Sequence, residues 1–439
     1  MLTGTLTLSM PVFWALSILL AALPVVAKAG MSPEEVAKFN EYKINAERTD
    51  TSGDFGPVLK ALAQIQLGVL YSKGEGVAKN QEQAFFWFHK AAVEGGQPLA
   101  QAMVGDCYFS GQGVKKDFEQ AAKWYQQAAE GGFPDAQFVL GGCFYEGQGV
   151  KRNLEQALVW WRRAADKGHL RAQQKLAEFY FKGEGGTPDY SEAMKWFRKA
   201  AEQKDAMSQT NLGSIYAQGV GVKQDFAEAM KWFRKAADQN YREAQYSLGL
   251  IYFNGNGVEK DDNEAMKWFR KAADQGHPWA QFRLGLLYYF AGGVPDDRKH
   301  AAVWFQKAAD KGLADAQTAL ASLYYLGDGV RKDFEEAASW YRKAAKQGMA
   351  EAQSKMGDIY AEGKGVEVDS VEAYAYWNIA AIENDEDRKK LLGLEARMSR
   401  DEIAAGQRRS KELQKEIEAN RVPVADDNGN ISLQMPQPR

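Results

Sequence analysis

The chain has 439 residues, of which 45% are hydrophobic and 26% charged, the composition of a folded soluble protein with room for several domains or one long array. Lys+Arg is 55 and Asp+Glu is 58, a net charge of −3, which argues against a dedicated nucleic-acid binder. Two cysteines and four histidines exclude a disulfide-dense scaffold, a cysteine-rich zinc module and a multi-histidine metal centre.

Residues 1–29 carry a single charge, Lys28, and Pro11 to Val26 is apolar apart from Ser17. That run is about 16 residues, short of the ~20 needed to cross a bilayer as a helix. It ends in Val26-Ala27-Lys28-Ala29, a small-x-small pattern with cleavage after Ala29. The expectation is a signal peptide over 1–29 and a periplasmic or secreted protein. The n-region lacks Lys or Arg, so an uncleaved anchor or a misassigned start is the alternative. No later stretch is apolar enough to span a membrane.

Ser32-Pro33-Glu34-Glu35 reads as a helix start, with Ser32 as N-cap and Glu35 as its capping-box partner. A helix to about Glu47 covers the first repeat, and Thr49 to Pro57 is a linker. Residues 30–62 form an N-terminal cap.

From residue 63 onward a repeat dominates the chain. Ala-Gln opens a repeat at Ala100, Ala136, Ala172, Ala244, Ala280, Ala316 and Ala352, with Ser208-Gln209 in the remaining slot, so every step is 36 residues. An earlier copy opens at Ala63-Gln64, giving nine repeats over about 63–381. Counted from the opening Ala, apolar or small residues fall at offsets 0, 4, 5 and 8, as in Ala316, Leu320, Ala321 and Tyr324. A second set falls at 21, 24, 25, 28 and 29, as in Ala229, Trp232, Phe233, Ala236 and Ala237. Each set is one face of a helix.

The punctuation between the helices has a physical reason. Gly111 follows the first helix where a left-handed C-cap is wanted. Gly113 and Val114 turn the chain. Asp117 then stands as N-cap, with Gln120 closing a capping box; Asp225/Glu228, Asp333/Glu336 and Asp369/Glu372 repeat the pattern. Asp or Asn holds this position in all nine repeats, and His300 alone breaks the partner position. A mid-helix glycine costs about 1 kcal/mol relative to alanine. Gly68, Gly105, Gly141, Gly213, Gly249, Gly285 and Gly357 nevertheless sit there, with Ala177 and Ala321 in the other two repeats. Close approach of the paired helix, whose Trp needs room, is the expected reason. A hairpin of this kind cannot bury its face alone, so neighbours stack into an all-α, right-handed α-solenoid.

These residues resemble the Sel-one-like repeat family, a relative of the tetratricopeptide repeat. The resemblance implies an adaptor or scaffold that binds other proteins, in bacteria often in the cell envelope, in signalling or in polysaccharide assembly. It names no partner; from the residues themselves, no cofactor and no metal are expected. The cysteine-rich branch of the family staples each hairpin with its own cysteine pair. Cys107 and Cys143 instead share one slot in adjacent repeats, with first helices expected about 10 Å apart. Two unpaired thiols are expected, since a disulfide needs Cα atoms within about 7 Å. That departure counts against the penicillin-directed hydrolase activity proposed for that branch.

After Ala381 the pattern stops. Glu383 to Lys390 is a dense charge run, and Ser399-Arg400-Asp401-Glu402 opens a polar helix to about Asn420. Residues 382–421 read as C-terminal capping helices and 422–439 as a disordered tail.

Chemistry along the array is sparse. Gly-x-Gly-Val lacks the strand and the Lys-Ser/Thr of a phosphate loop and is read as a cap. His169 and His277 share a slot three repeats apart and cannot share a metal. No triad has nucleophile spacing, and no catalytic residue is assigned. Lys195-Trp196-Phe197-Arg198-Lys199 recurs at Lys231–Lys235 and Lys267–Lys271, and is read as a solvated helix face rather than a nucleic-acid strip. Glu178 and Asp358 share offset 6 in repeats five apart. The binding candidates lie at offset 9: Phe109, Tyr145, Phe181, Phe253, Tyr289 and Tyr325, with Ala217 and Ala361 also in this slot. Six rings in one slot either line an inner groove or pack under the next repeat. Repeat seven departs most from the consensus, with Ala291 in place of the C-cap glycine and Trp279, Phe282 and Phe290 adding apolar bulk. The sequence thus reads as an exported, non-enzymatic scaffold for a protein partner. A glycan-binding scaffold or an envelope hydrolase is the alternative.

Overall fold

A computed structural model of the chain describes residues 32–48, 56–290, 295–382 and 384–420. The leader 1–29, the linker up to residue 55, the altered turn at 291–293 and the tail 422–439 lie outside the described residues. Among the described residues there are 21 helices and no strand, arranged as an α-solenoid of helix hairpins. None of these helices is long and apolar enough to cross a membrane. The chain divides into two compact bodies after Gln203. The N-terminal body holds a leading helix, Pro33–Glu47, and repeats one to four; the C-terminal body holds repeats five to nine and two closing helices, Asp385–Glu395 and Arg400–Asn420.

Repeat two shows how each hairpin is cut. Its helices are Pro98–Ser110 and Phe118–Glu130. Gly111 takes φ 76° and its N–H donates to Cys107 O, a left-handed cap open to glycine without steric cost. The Asp117 carboxylate accepts from Gln120 N at 3.0 Å. The capping box, however, does not close. The Asp117 N–H donates to Tyr108 O at 2.9 Å, and Asn153, Asp225 and Asp333 do the same to Phe144, Tyr216 and Tyr324. The preceding helix supplies the acceptor that the box glutamate would offer. Only Ser32/Glu35 and Ser399/Glu402, which open helices with no such hairpin partner, form both bonds of the box among the described residues.

Repeat seven also corrects the cap assignment. Its second helix is Pro295–Asp310, so Asp297 is the third helical residue and not the cap. Proline fits the first helical position because its missing N–H has no partner there anyway.

Inside each hairpin the mid-helix glycine faces a ring. A Cβ on Gly105 would lie 2.7 Å from Tyr125, on Gly141 2.4 Å from Trp161, and on Gly249 2.5 Å from Phe269. The ring that needs the room is the aromatic at offset 25, not the Trp one residue earlier. Such rings are fully buried, Phe233 and Phe269 at 0% exposure, each contributing about 1.5–3 kcal/mol of apolar burial. The Trp at offset 24 packs backward instead: Trp304 of repeat seven sits with Leu250, Phe269 and Ala272 of repeat six.

The seam between repeats is polar by comparison. The second glycine of the loop meets the start of the preceding second helix, where a Cβ on Gly149 would fall 1.8 Å from Phe118 O. The glutamine after the opening Ala turns back to a carbonyl at the end of that helix: Gln137 Nε2 donates to Ala129 O, and Gln281 Nε2 to Ala273 O, each at 3.0 Å. Gln64 of repeat one makes the same bond to Ala46 O at 3.3 Å. A Cβ on Gly76 would meet Glu35 O, so the leading helix stands where a preceding second helix would. At the other end, Arg400–Asn420 buries Leu413 and Ile417 in the last core, and Gly406 receives the Tyr374 ring.

Candidate functional site

The offset-9 rings pack on their own hairpins. In the N-terminal body Phe109 meets Phe118 edge-on at 5.1 Å, Tyr145 meets Trp161 at 5.3 Å, and Phe181 meets Tyr190 at 5.5 Å. In the C-terminal body Phe253 faces Phe269 at 6.4 Å and Tyr325 faces Phe334 at 5.2 Å. All six rings, Tyr289 included, are half-buried, neither sealed under the next repeat nor fully open. Two of them reach across the seam by their hydroxyls. Tyr145 donates to Glu184 Oε2 at 2.5 Å, and Tyr325 accepts from Lys364 Nζ at 2.8 Å. Burial pushes the Tyr145 phenol up to about 12.

Repeat seven adds a more open surface. Trp279 and Phe282 are half-buried and touch edge-on at 6.1 Å. Phe290 is 74% exposed, and Leu326, in the same slot one repeat later, is 61% exposed. Elsewhere that slot, offset 10, is polar: Lys73, Ser110, Glu146, Lys182, Gln218, Asn254 and Glu362. The repeat consensus alone does not single out Leu326; comparison of this one slot across the nine repeats does.

The basic strips are taken up within the chain. Lys231 pairs with Glu228 at 2.9 Å, Lys267 with Glu264, and Lys199 with Asp166. Arg234 and Arg270 donate to the hydroxyls of Tyr252 and Tyr288 in the next repeat. Lys235 and Lys271 each sit 4.0 Å over Trp232 and Trp268. The shared histidine slot is a helix cap: Nδ1 of His169 accepts from Ala172 N, and Nδ1 of His277 from Ala280 N. Burial, then Arg242 and Lys311, holds His277 down at about 3. Among the described residues no three metal-ligating side chains converge. Cys107 and Cys143 are unpaired and buried, and burial raises each thiol to about 12, far from a reactive thiolate.

Offset 6 has an order that periodicity does not reveal. In repeats two, eight and nine the ring at offset 25 carries a polar tip whose partner stands at offset 6, whereas Trp161 of repeat three, with Gly142 at offset 6, donates to Phe138 O instead. Tyr125 donates to Asp106 Oδ1 at 2.7 Å, Tyr341 pairs with Ser322 at 2.7 Å, and Trp377 Nε1 donates to Asp358 at 3.2 Å. Asp358 also holds Lys390 at 2.8 Å. Glu178 shares a repeat with Phe197, a ring without such a tip, and burial raises its carboxyl. Asp106 is the extreme case: 8% exposed, raised to about 7 by burial despite the Tyr125 bond, and without an ion-pair cation among the described residues.

The Sel1 repeat family model matches nine times, over 61–95, 98–133, 134–169, 170–205, 206–241, 242–277, 280–313, 314–349 and 350–385. A crystal structure of a protective antigen of uropathogenic Escherichia coli, described as displaying an SLR fold, is 35% identical with TM-score 0.69, covering 88% of this chain and 84% of that one. A Sel1 repeat protein from Oxalobacter formigenes is 32% identical with TM-score 0.61, covering 78% of this chain and 99% of that one. No curated protein matches the chain. The nine matched repeats, their hairpin geometry and these two relatives establish that the chain belongs to the Sel1 repeat family, whose members generally serve as protein-interaction scaffolds.

Proposed function

We propose that this protein is an exported, non-enzymatic scaffold of the bacterial cell envelope. It binds a protein partner through the first-helix face of repeats seven and eight. The observation that carries the site is the exposed pair Phe290 and Leu326, occupying in adjacent repeats a slot that is polar in the others. Large exposed apolar side chains that break an otherwise polar surface mark interaction sites. The half-buried Tyr289 and Tyr325 beside them extend the surface. The apolar leader ending at Ala29, and the likeness to a protein described as a protective antigen, support the location.

The test is an affinity pull-down from envelope extract with the full chain and with Phe290→Ala/Leu326→Ala. Both positions are largely solvent-exposed, so the helical circular dichroism of the variant should be unchanged. Recovery of a discrete protein by the parent, lost in the variant, supports the site. Equal recovery by both moves it to another surface. Recovery abolished by a glycan-degrading enzyme instead favours the glycan-binding alternative.

A further inference from the structure

Repeat one lacks the pair of facing rings that repeats two, four and eight carry. Repeat two places Phe109 against Phe118, and repeat eight places Tyr325 against Phe334. The corresponding residues of repeat one are Ser72 and Gln81, joined by a bond from Gln81 Nε2 to Ser72 O at 3.1 Å. Without the ring pair, an indentation is left between the first helices of repeats one and two. Its lining includes Ser72, Gln81, Phe88, Met103, Asp106 and Gln112, and it has room of about 20 Å³. That suffices for one water-sized head group.

Asp106 is the chemical anomaly of this indentation. Tyr125 bonds its Oδ1, and no group among the described residues bonds its Oδ2. A buried carboxylate is ordinarily paired with a cation, as Asp387 is with Lys390. None pairs with Asp106 among the described residues. The ionisable groups around it are Tyr125 on the paired helix, Cys107 on its own helix, and Asp135 at the start of the next first helix, with Cys143 beyond Tyr125. None of them is a cation, and repeat one contributes Ser72, Gln81 and Phe88 to the lining of the indentation.

We propose that this indentation is a binding site for a primary alkylammonium group, with Asp106 as its counter-ion. The head group takes the space beside Asp106, where Gln81 and Gln112 carry amide oxygens able to accept from it. Phe88 and Met103 line the aliphatic stem. The scaffold reading bears on this only as to whether the ammonium comes from a partner's lysine side chain or from a free amine. Protonation of Asp106 competes with the cation, so occupancy belongs to neutral and alkaline pH.

The experiment is thermal unfolding of the full chain at pH 8 and pH 5, in n-butylammonium chloride and in sodium chloride of equal ionic strength. A parallel arm uses a capped peptide with one internal lysine against the same peptide with norleucine. The parent should gain about 2–4 °C in Tm from the amine at pH 8 and nothing at pH 5. Asp106→Asn, which keeps an acceptor for Tyr125, should not respond. Should that variant fold poorly, Ser72→Phe decides, because it restores a ring to the indentation while leaving Asp106 in place, and it too should be unresponsive. A response to the lysine peptide alone assigns the cation to a protein partner, and a response to n-butylammonium alone to a small amine. Equal responses from the parent and both variants, or none from the parent, overturn the proposal.

Discussion

The interior of each hairpin and the seam between hairpins hold by different physics. Within a hairpin, contact is set by volume: a glycine faces a fully buried ring, and the fit is repeated with Tyr125, Trp161 and Phe269. At the seam, the packing of the offset-24 Trp is joined by hydrogen bonds: glutamine and arginine side chains donate to carbonyls and phenols, and the histidine ring accepts from a helix N-terminal N–H. Volume tolerates little substitution, whereas a polar seam tolerates more, at the expense of orphaned atoms. In repeats four, five, six and eight the buried glutamine oxygen accepts from a second glutamine, as Gln347 donates to Gln317 at 2.9 Å. In repeats one, three and seven that second residue is Glu94, Lys167 or Lys311, and Gln64, Gln137 and Gln281 each leave Oε1 buried without a partner.

If the seam is the titratable contact, acid should open it first. His277 is held neutral with its pKa lowered from 6.5 to about 3, so the unfolded chain binds the proton that the folded chain refuses. Stability is therefore lost as pH falls from 6.5 toward 3, on the order of 2–4 kcal/mol at full effect. His277→Asn keeps a favoured capping side chain and should remove that part of the pH dependence. Denaturant midpoints at pH 7 and pH 4 check this; an unchanged difference between parent and variant would place the acid sensitivity elsewhere. The hairpin interior is probed by Gly141→Ala. Its methyl group would meet Trp161, and overpacking should lower stability by about 1–3 kcal/mol. Ala177→Gly, where the fit already accommodates a methyl, should cost only about 1 kcal/mol through helix propensity. Equal losses in the two variants would erase the distinction between the contacts. The smallest effect is a gain. Lys167→Gln should supply the missing donor to Gln137 while still reaching Gly132 O, as Gln203 reaches both Gln173 and Gly168 O. Relief of a buried unsatisfied acceptor should raise stability by about 1 kcal/mol, read as an upward shift in Tm.

Local conformational preferences made the caps legible in the sequence. Glycine at Gly111 and Asp at Asp117 are chosen by the backbone at those positions, whatever packs around them. The choice between the two neighbouring aromatics was not legible, because Trp124 and Tyr125 both fall near one helical face and only tertiary packing decides which enters the glycine gap. The capping box was over-read for a related reason: the bond that replaces it comes from a residue nine positions earlier, Tyr108 for Asp117. Asp106 needed two slots to be compared together, Tyr125 with Asp106 as Tyr341 with Ser322 and Trp377 with Asp358. The offset-9 slot pointed to a real row of rings, but not to their engagement on their own hairpins. The open surface lies one residue further on, at Phe290 and Leu326.

The leading helix Pro33–Glu47 occupies the place of a second helix, giving Gln64 a carbonyl at Ala46 and Gly76 a carbonyl at Glu35. The array therefore begins half a period out of phase with the units its sequence suggests. Its interlocking parts are complementary whenever the chain is cut and rejoined at equivalent positions, wherever in the period the cut falls. Loss or duplication of one whole period returns every glycine to a ring and every glutamine to a carbonyl. Array length is thus open to change by unequal recombination, while the two end structures stay fixed.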